Sequence, residues 1–131
     1  CSSDDAIIPS CIKAELRDYQ KEGVAWLQFL HSFGLHAILS DDMGLGKTIQ
    51  SLCVLAHVQP RCHLPSLVVC PSTLVMHWAK EISKFVGNDA LVAFPITSKK
   101  SVQATLPSPL PSSAVVIISY DSLRSTAASS P

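Results

Sequence analysis

No apolar run in this 131-residue chain approaches the roughly 18 residues needed to cross a bilayer, so a membrane span is not expected. No basic-then-apolar segment opens the chain as a secretion signal would. Charge of one sign is missing too, because ten basic and ten acidic residues cancel. Without a strongly basic face, any nucleic acid is held through a few placed contacts or through regions outside this chain. The five cysteines form no Cys-x-x-Cys pair, and their odd number argues for reduced thiols inside a cell. Cys62 and His63, with His57 nearby, lack the second element that a structural metal site requires. Cys53 and Cys70 sit in apolar stretches and read as small core residues. Charged residues make up only 15% against 47% apolar, so part of the apolar surface is expected to face a partner segment. The length suits one domain with a real core. A start at Cys1 and a stop soon after a strand-like run are expected of a piece of a longer protein.

What the chain does have is a phosphate-binding loop. Residues 41–48 read Asp-Asp-Met-Gly-Leu-Gly-Lys-Thr, after the apolar Ala37-Ile38-Leu39 and before an amphipathic segment. Gly44 and Gly46 let the backbone curl and aim N–H groups at phosphate oxygens. Lys47 adds a charge that reaches the outer phosphates, and Thr48 offers a hydroxyl to magnesium. The helix that follows turns the positive end of its dipole toward the same anion. Asp41 stands where the general Gly-x-x-x-x-Gly-Lys-Ser/Thr pattern has its first glycine. The plain alternative is an ordinary glycine turn leading into a helix.

Periodicity organises the rest. Residues 1–12 are expected to run extended over the surface. Leu16, Tyr19, Trp26, Leu30 and Phe33 recur at helical spacing from Glu15 to Phe33, and Gly34 ends that helix. Residues 36–40 predict a strand. Thr48 to Val58 predicts a helix with Ile49, Leu52, Cys53 and Ala56 inward, ended by Gln59-Pro60. Leu67–Cys70 predicts a second strand. Ser72 or Thr73 is expected to cap the next helix, with Leu74, Trp78, Ile82 and Phe85 inward and Gly87-Asn88 at its end. Leu91–Phe94 and Val115–Ile118 complete four strands. Lys99–Leu106 suggests a short crossing helix, Pro107, Pro109 and Pro111 an extended segment, and 125–131 a disordered tail. Both tryptophans, Trp26 and Trp78, read as core, while His31, His57, His63 and His77 show no evident chemistry. Continuous apolar strands imply a sheet covered on both faces, as in parallel α/β folds. The expected fold is a RecA-like three-layer sandwich with a mainly parallel sheet.

Three further segments accompany the loop. Leu16-Arg17-Asp18-Tyr19-Gln20 with Gly23-Val24 and Trp26-Leu27 precedes it, Val69-Cys70-Pro71-Ser72-Thr73-Leu74 with His77-Trp78 follows, and Ile118-Ser119-Tyr120-Asp121 closes the series. As a set these resemble the first ATPase lobe of the Swi/Snf-type DNA translocases of helicase superfamily two, over residues 13–124. Asp42 stands where Glu is usual. With Asp41 and His36 it is most similar to the branch that strips TATA-box-binding protein from DNA. The resemblance implies an incomplete first lobe of a two-lobe, nuclear, ATP-driven motor acting on double-stranded DNA. It implies that Gln20 bonds the adenine edge, that Asp42, Met43, Gly44, Leu45, Gly46, Lys47 and Thr48 surround the phosphates, and that Thr48 reaches magnesium. Arg17 is either a nucleotide contact or a surface ion pair. Met43 packs beneath the phosphates. Pro71, Ser72 and Thr73 touch the DNA backbone, and Ser119 and Tyr120 face DNA, with core packing as the alternative for Tyr120.

The family's acidic Asp-Glu-x-His motif, which holds magnesium and orients the attacking water, occurs nowhere in these 131 residues. Nor does a second lobe with its arginines, a contribution worth roughly 10³–10⁵ in rate. The chain alone is expected to bind ATP weakly and to hydrolyse it very slowly, if at all, so no catalytic residue is assigned. Two rivals stand beside that reading: a non-hydrolysing nucleotide-binding or interaction fragment, and an unrelated P-loop kinase or GTPase. The latter lacks any Asn-Lys-x-Asp signature for guanine.

Overall fold

The computed structural model describes residues 5–39, 46–87, 89–97 and 106–129. Helix α1 spans Asp18–Ser32, α2 Lys47–Cys62 and α3 Val75–Phe85. Strand β1 spans Ser66–Cys70, β2 Val92–Ile96 and β3 Ala114–Ser119, and helix α4 runs from Tyr120 to Ser129. The strands form one parallel sheet ordered β1-β3-β2. β3 lies in the middle, and four of the five residues of its apolar run are buried: Ala114, Val115, Ile117 and Ile118. Pro95 sits in β2, which among the described residues pairs on one side only; an edge tolerates the missing N–H.

One face of the sheet carries Val68, Cys70, Ala93, Val115 and Ile117. Leu52 and Ala56 of α2 and Val75, Ala79 and Ile82 of α3 pack against it. Full burial of a side chain such as Ile82 contributes about 1.5–3 kcal/mol, which is what holds these helices to the sheet. α1 packs on α2, and the approach is close because Gly23 has no side chain. A Cβ there would lie 2.0 Å from Gln50 Oε1. Residues 5–12 act as a strap. Ile7 exchanges two hydrogen bonds with the Gln28 amide, at 2.9 and 2.7 Å, and Ile12 bridges to Val86.

Several expectations hold. The inward stripe of α2 is Ile49, Leu52, Cys53 and Ala56. Gly34 ends α1 in the left-handed region (φ 69°), with Leu35 N–H donating to Leu30 O and Gly34 N–H to His31 O, a Schellman closure. Residues 106–113 run irregularly through their prolines.

Other expectations are corrected. Residues 36–39 form no strand, and Ile38 is 83% exposed; a strand exists only where a neighbour supplies its ladder. α2 passes through Pro60 and ends at Cys62, where left-handed His63 donates its N–H to Gln59 O. Proline removes one bond in a last turn that tertiary contacts already hold. α1 buries Val24 and Ala25, whereas Tyr19, Trp26 and Phe33 are exposed. The inward face of α3 is Val75, Ala79 and Ile82, with Trp78 half-buried and Leu74 exposed. No side chain caps α3; a 3-10 turn over Ser72–Leu74 leads into it instead. Residues 125–129, expected to be a disordered tail, continue α4. The expected crossing helix over 99–106 falls almost wholly outside the described residues.

Candidate functional site

The start of α2 and the start of α1 meet. Gly46 precedes α2 with φ 73°, in the left-handed region that glycine enters without strain. A Cβ at Gly46 would lie 2.2 Å from Gln20 Nε2 and 3.3 Å from Ile49 Cγ2. The bare glycine is therefore what lets the Gln20 amide come this close. Gln20 is held in place by its other end: Oε1 accepts the Arg17 backbone N–H at 2.9 Å. Arg17 itself is exposed.

Among the described residues, no side chain caps the N-terminus of α2, and its first turn holds no acidic residue. A 16-residue helix beginning with Lys47 and Thr48 turns the N–H groups of its first turn toward its start, where an anion is favoured, and Thr48 lines the cavity there. These residues fit a phosphate tail with its magnesium. Asp42, Met43, Gly44 and Leu45, the rest of the expected loop, lie outside the described residues.

Beside this helix end is a cavity of about 370 Å³, lined by Gln20, Gly46, Thr48 and Ile49 and by His77, Glu81 and Phe85 of α3. Ala14 and Glu15 complete it. That volume lies within the range of ordinary small-ligand sites. Gln20, Gly46 and Thr48 were legible in the sequence, whereas His77, Glu81 and Phe85 were not. The missed signal is their spacing, since residues four apart share one stripe of a helix. His77 Nε2 stands 3.7 Å from Glu81 Oε1, an ion pair when the imidazole is protonated. His77, expected to carry no chemistry, is a wall of this site.

The expected DNA contacts converge at the carboxyl edge of the sheet. Cys70 and Ser119 are register partners at the ends of β1 and β3, so Pro71-Ser72-Thr73 and Tyr120 leave from neighbouring positions. Pro71, Ser72, Thr73 and Tyr120 are all exposed. Tyr120, at 54% exposure, is not core. Ser119 is corrected: its side chain is buried, and its hydroxyl accepts the Ser122 N–H at 3.1 Å. It holds the start of α4 and does not face outward.

Burial pushes the Cys53 thiol up to about 12, with nearby Cys11 adding to the shift, and burial also raises Cys70. Both are core thiols. Among the described residues, no cluster of His, Cys, Asp and Glu is placed to hold a metal ion, and no helix is long and apolar enough to cross a membrane.

Comparison with known proteins bears on the fold and the family. Two structures of the Sulfolobus solfataricus SWI2/SNF2 ATPase core superpose on the chain. The one in complex with double-stranded DNA matches with a TM-score of 0.71 at 33% identity, over 88% of this chain and 23% of the other. The core domain alone gives 0.75 at 34%, over 90% and 23%. Their fold is RecA-like, which assigns the parallel sheet and its helices to that class. Human TATA-binding protein-associated factor 172 is 42% identical over 132 aligned residues, covering 89% of this chain and 7% of that protein. The chain thus spans a small part of the relatives it matches. The SNF2-related domain family matches residues 19–130, and the chain belongs to that family.

Proposed function

We propose that this chain binds ATP with magnesium and forms part of the first lobe of a nuclear, DNA-dependent ATPase that displaces proteins from double-stranded DNA, TATA-box-binding protein being the candidate cargo. The observation that carries this reading is the meeting of Gln20 with Gly46 at the open end of α2. An amide with both donor and acceptor character suits the adenine edge, and it stands next to the glycine whose helix receives the phosphates. Gly46 and the loop residues Asp42, Met43, Gly44 and Leu45 surround the phosphates, Lys47 neutralises them, and Thr48 takes magnesium. Bound magnesium supplies charge neutralisation at the outer phosphates.

Pro71, Ser72, Thr73 and Tyr120 are the DNA contacts in this reading. Exposed hydroxyls and N–H groups at the end of a strand suit phosphates, and such contacts position a protein without reading sequence. Support for DNA and for the cargo comes from the names of the relatives: one solved structure holds double-stranded DNA, and the human relative is named for association with TATA-binding protein. The nuclear assignment follows from the same names. In the parent protein, ATP held between two lobes closes the cleft and hydrolysis releases it, moving the grip along DNA.

Titration calorimetry with ATP and GTP tests the reading. Lys47→Ala is expected to weaken ATP-magnesium binding at least ~10-fold, the loss of one charge-assisted contact or more. Gln20→Ala is expected to erase the preference for ATP over GTP. Unchanged ATP binding in the lysine variant, or equal affinity for the two nucleotides in the unmodified chain, overturns it.

A further inference from the structure

The strap that precedes α1 has apolar side chains to bury. Ala6, Ile8, Ile12 and Ala14 pack, partly buried, on the cluster of Leu16, Val24, Ile49 and Cys53. Its later part is fastened to the end of α3 by a seam of backbone contacts. Gly87 N–H donates to Cys11 O and Lys13 N–H donates to Phe85 O, each at 2.7 Å, and Ile12 bridges to Val86 between them.

The residues beside this seam are cavity wall. Ala14 and Glu15 line the cavity from the strap's side and Phe85 from the helix's side, while Lys13 and Gly87 lie outside the lining. Phe85 belongs to both, because its carbonyl is in the seam. Next comes Leu16, 6% exposed, and then the Arg17 N–H that holds the Gln20 amide. One short run of chain therefore leads from the seam to Gln20 and carries cavity wall on the way. A ligand that touches Ala14 or Glu15 and also Phe85 spans the seam, so it binds the fastened arrangement better than the loosened one. Binding and fastening are then linked, each favouring the other by the same factor.

We infer that the seam of residues 11–13 with residues 85–87 is a clasp that positions the strap-side wall for nucleotide, and that bound nucleotide fastens the clasp in turn. This rests on the nucleotide reading above and adds to it two positioning groups, the backbone N–H groups of Lys13 and Gly87. It needs the nucleotide to occupy the cavity, whichever way round it lies.

Hydrogen exchange on the whole chain, read at single amides by NMR, tests the inference without any variant. The Lys13 and Gly87 amides both donate across the seam and exchange when it opens. With ATP-magnesium well above its Kd, their exchange is expected to slow at least ~10-fold. The Leu35 amide, bonded to Leu30 O where α1 ends, is the reference and is expected to keep its rate. Lys13→Pro deletes one donor of the clasp and is expected to weaken ATP binding ~5-fold, the loss of one hydrogen bond. Lys13→Ala keeps that N–H and is expected to bind ATP as the unmodified chain does. Seam amides that exchange equally fast with and without ATP, in a chain that binds ATP by calorimetry, overturn the inference and leave the nucleotide site standing. So does equal slowing at Leu35, or equal ATP affinity in the two Lys13 variants. Absence of ATP binding altogether overturns both the inference and the site.

Discussion

The two ends of helix α2 are built to opposite specifications. At its start, Gly46 is bare, no side chain among the described residues caps the helix, and Gln20 approaches from another element. At its finish, Gln59 is 2% exposed and fully engaged. Its Nε2 donates to Ser112 O at 2.8 Å and to Ala114 O at 2.7 Å, and its Oε1 accepts from Ser66 Oγ at 2.7 Å. One glutamine therefore ties the helix to the first residues of β1 and β3. The other, Gln20, has an amide directed at a cavity. The same side chain ties elements of the fold together in one place and lines a cavity in the other. An open helix start is tolerable only if the remainder of the helix is firmly anchored.

The strongest way to break that contrast is at the anchored end. Gln59→Leu keeps roughly the same size but strands a buried carbonyl and the Ser66 hydroxyl, costing about 2–3 kcal/mol. A fall in melting temperature near 10 °C is expected by differential scanning calorimetry, at about 4 °C per kcal/mol. A change below 2 °C would show that water replaces the amide there at little cost.

A smaller stability effect belongs to the open end. Gly46→Ala places a Cβ in the left-handed region, costing about 1–2 kcal/mol, and against Gln20 Nε2. Its signature is a mismatch: modest destabilisation but ATP affinity lowered as far as by Gln20→Ala, because the amide is displaced. Parallel loss of stability and affinity, with Gln20 still selecting adenine, would separate the two residues.

The smallest effect at neutral pH sits midway, at Cys53. Its folded thiol titrates near 12 and its unfolded one near 9.0. The folded state thus binds the proton more tightly. That contribution is complete below pH 9.0 and is lost as the pH rises toward 12. Urea melts at pH 7 and pH 10 are expected to show about 1 kcal/mol of alkaline loss, which Cys53→Ala removes. An identical loss in the variant would place the titrating group elsewhere.

Much of this was legible in residues alone, and the parts that were not share a cause. β1, β2 and β3 announced themselves because buried parallel strands are continuous apolar runs. The inward stripe of α2 was equally plain. Ile38 misled, since an apolar run cannot say whether a neighbouring strand will be present to pair with it. α4 was hidden because its Ser, Thr and Ala residues give no apolar period. Trp26 looked like core by size, yet the close approach at Gly23 turned Val24 and Ala25 inward instead. Gln20, Gly46 and Thr48, which line the cavity, lie in segments the motifs pick out. That Glu81 and His77 also line it was not legible, because it depends on how α3 lies against α2, and that is a property of packing.

Helix α3 has one further consequence. The exposed turn Ser72–Leu74 runs directly into it, and His77 stands only four residues after Thr73, about 6 Å along a helical rise. Whatever grasps that turn pulls on a stiff rod whose next two turns, with His77, Glu81 and Phe85, form one wall of the cavity. A pull on the turn would then reach the cavity through a single lever, with no relay of intermediate side chains between them.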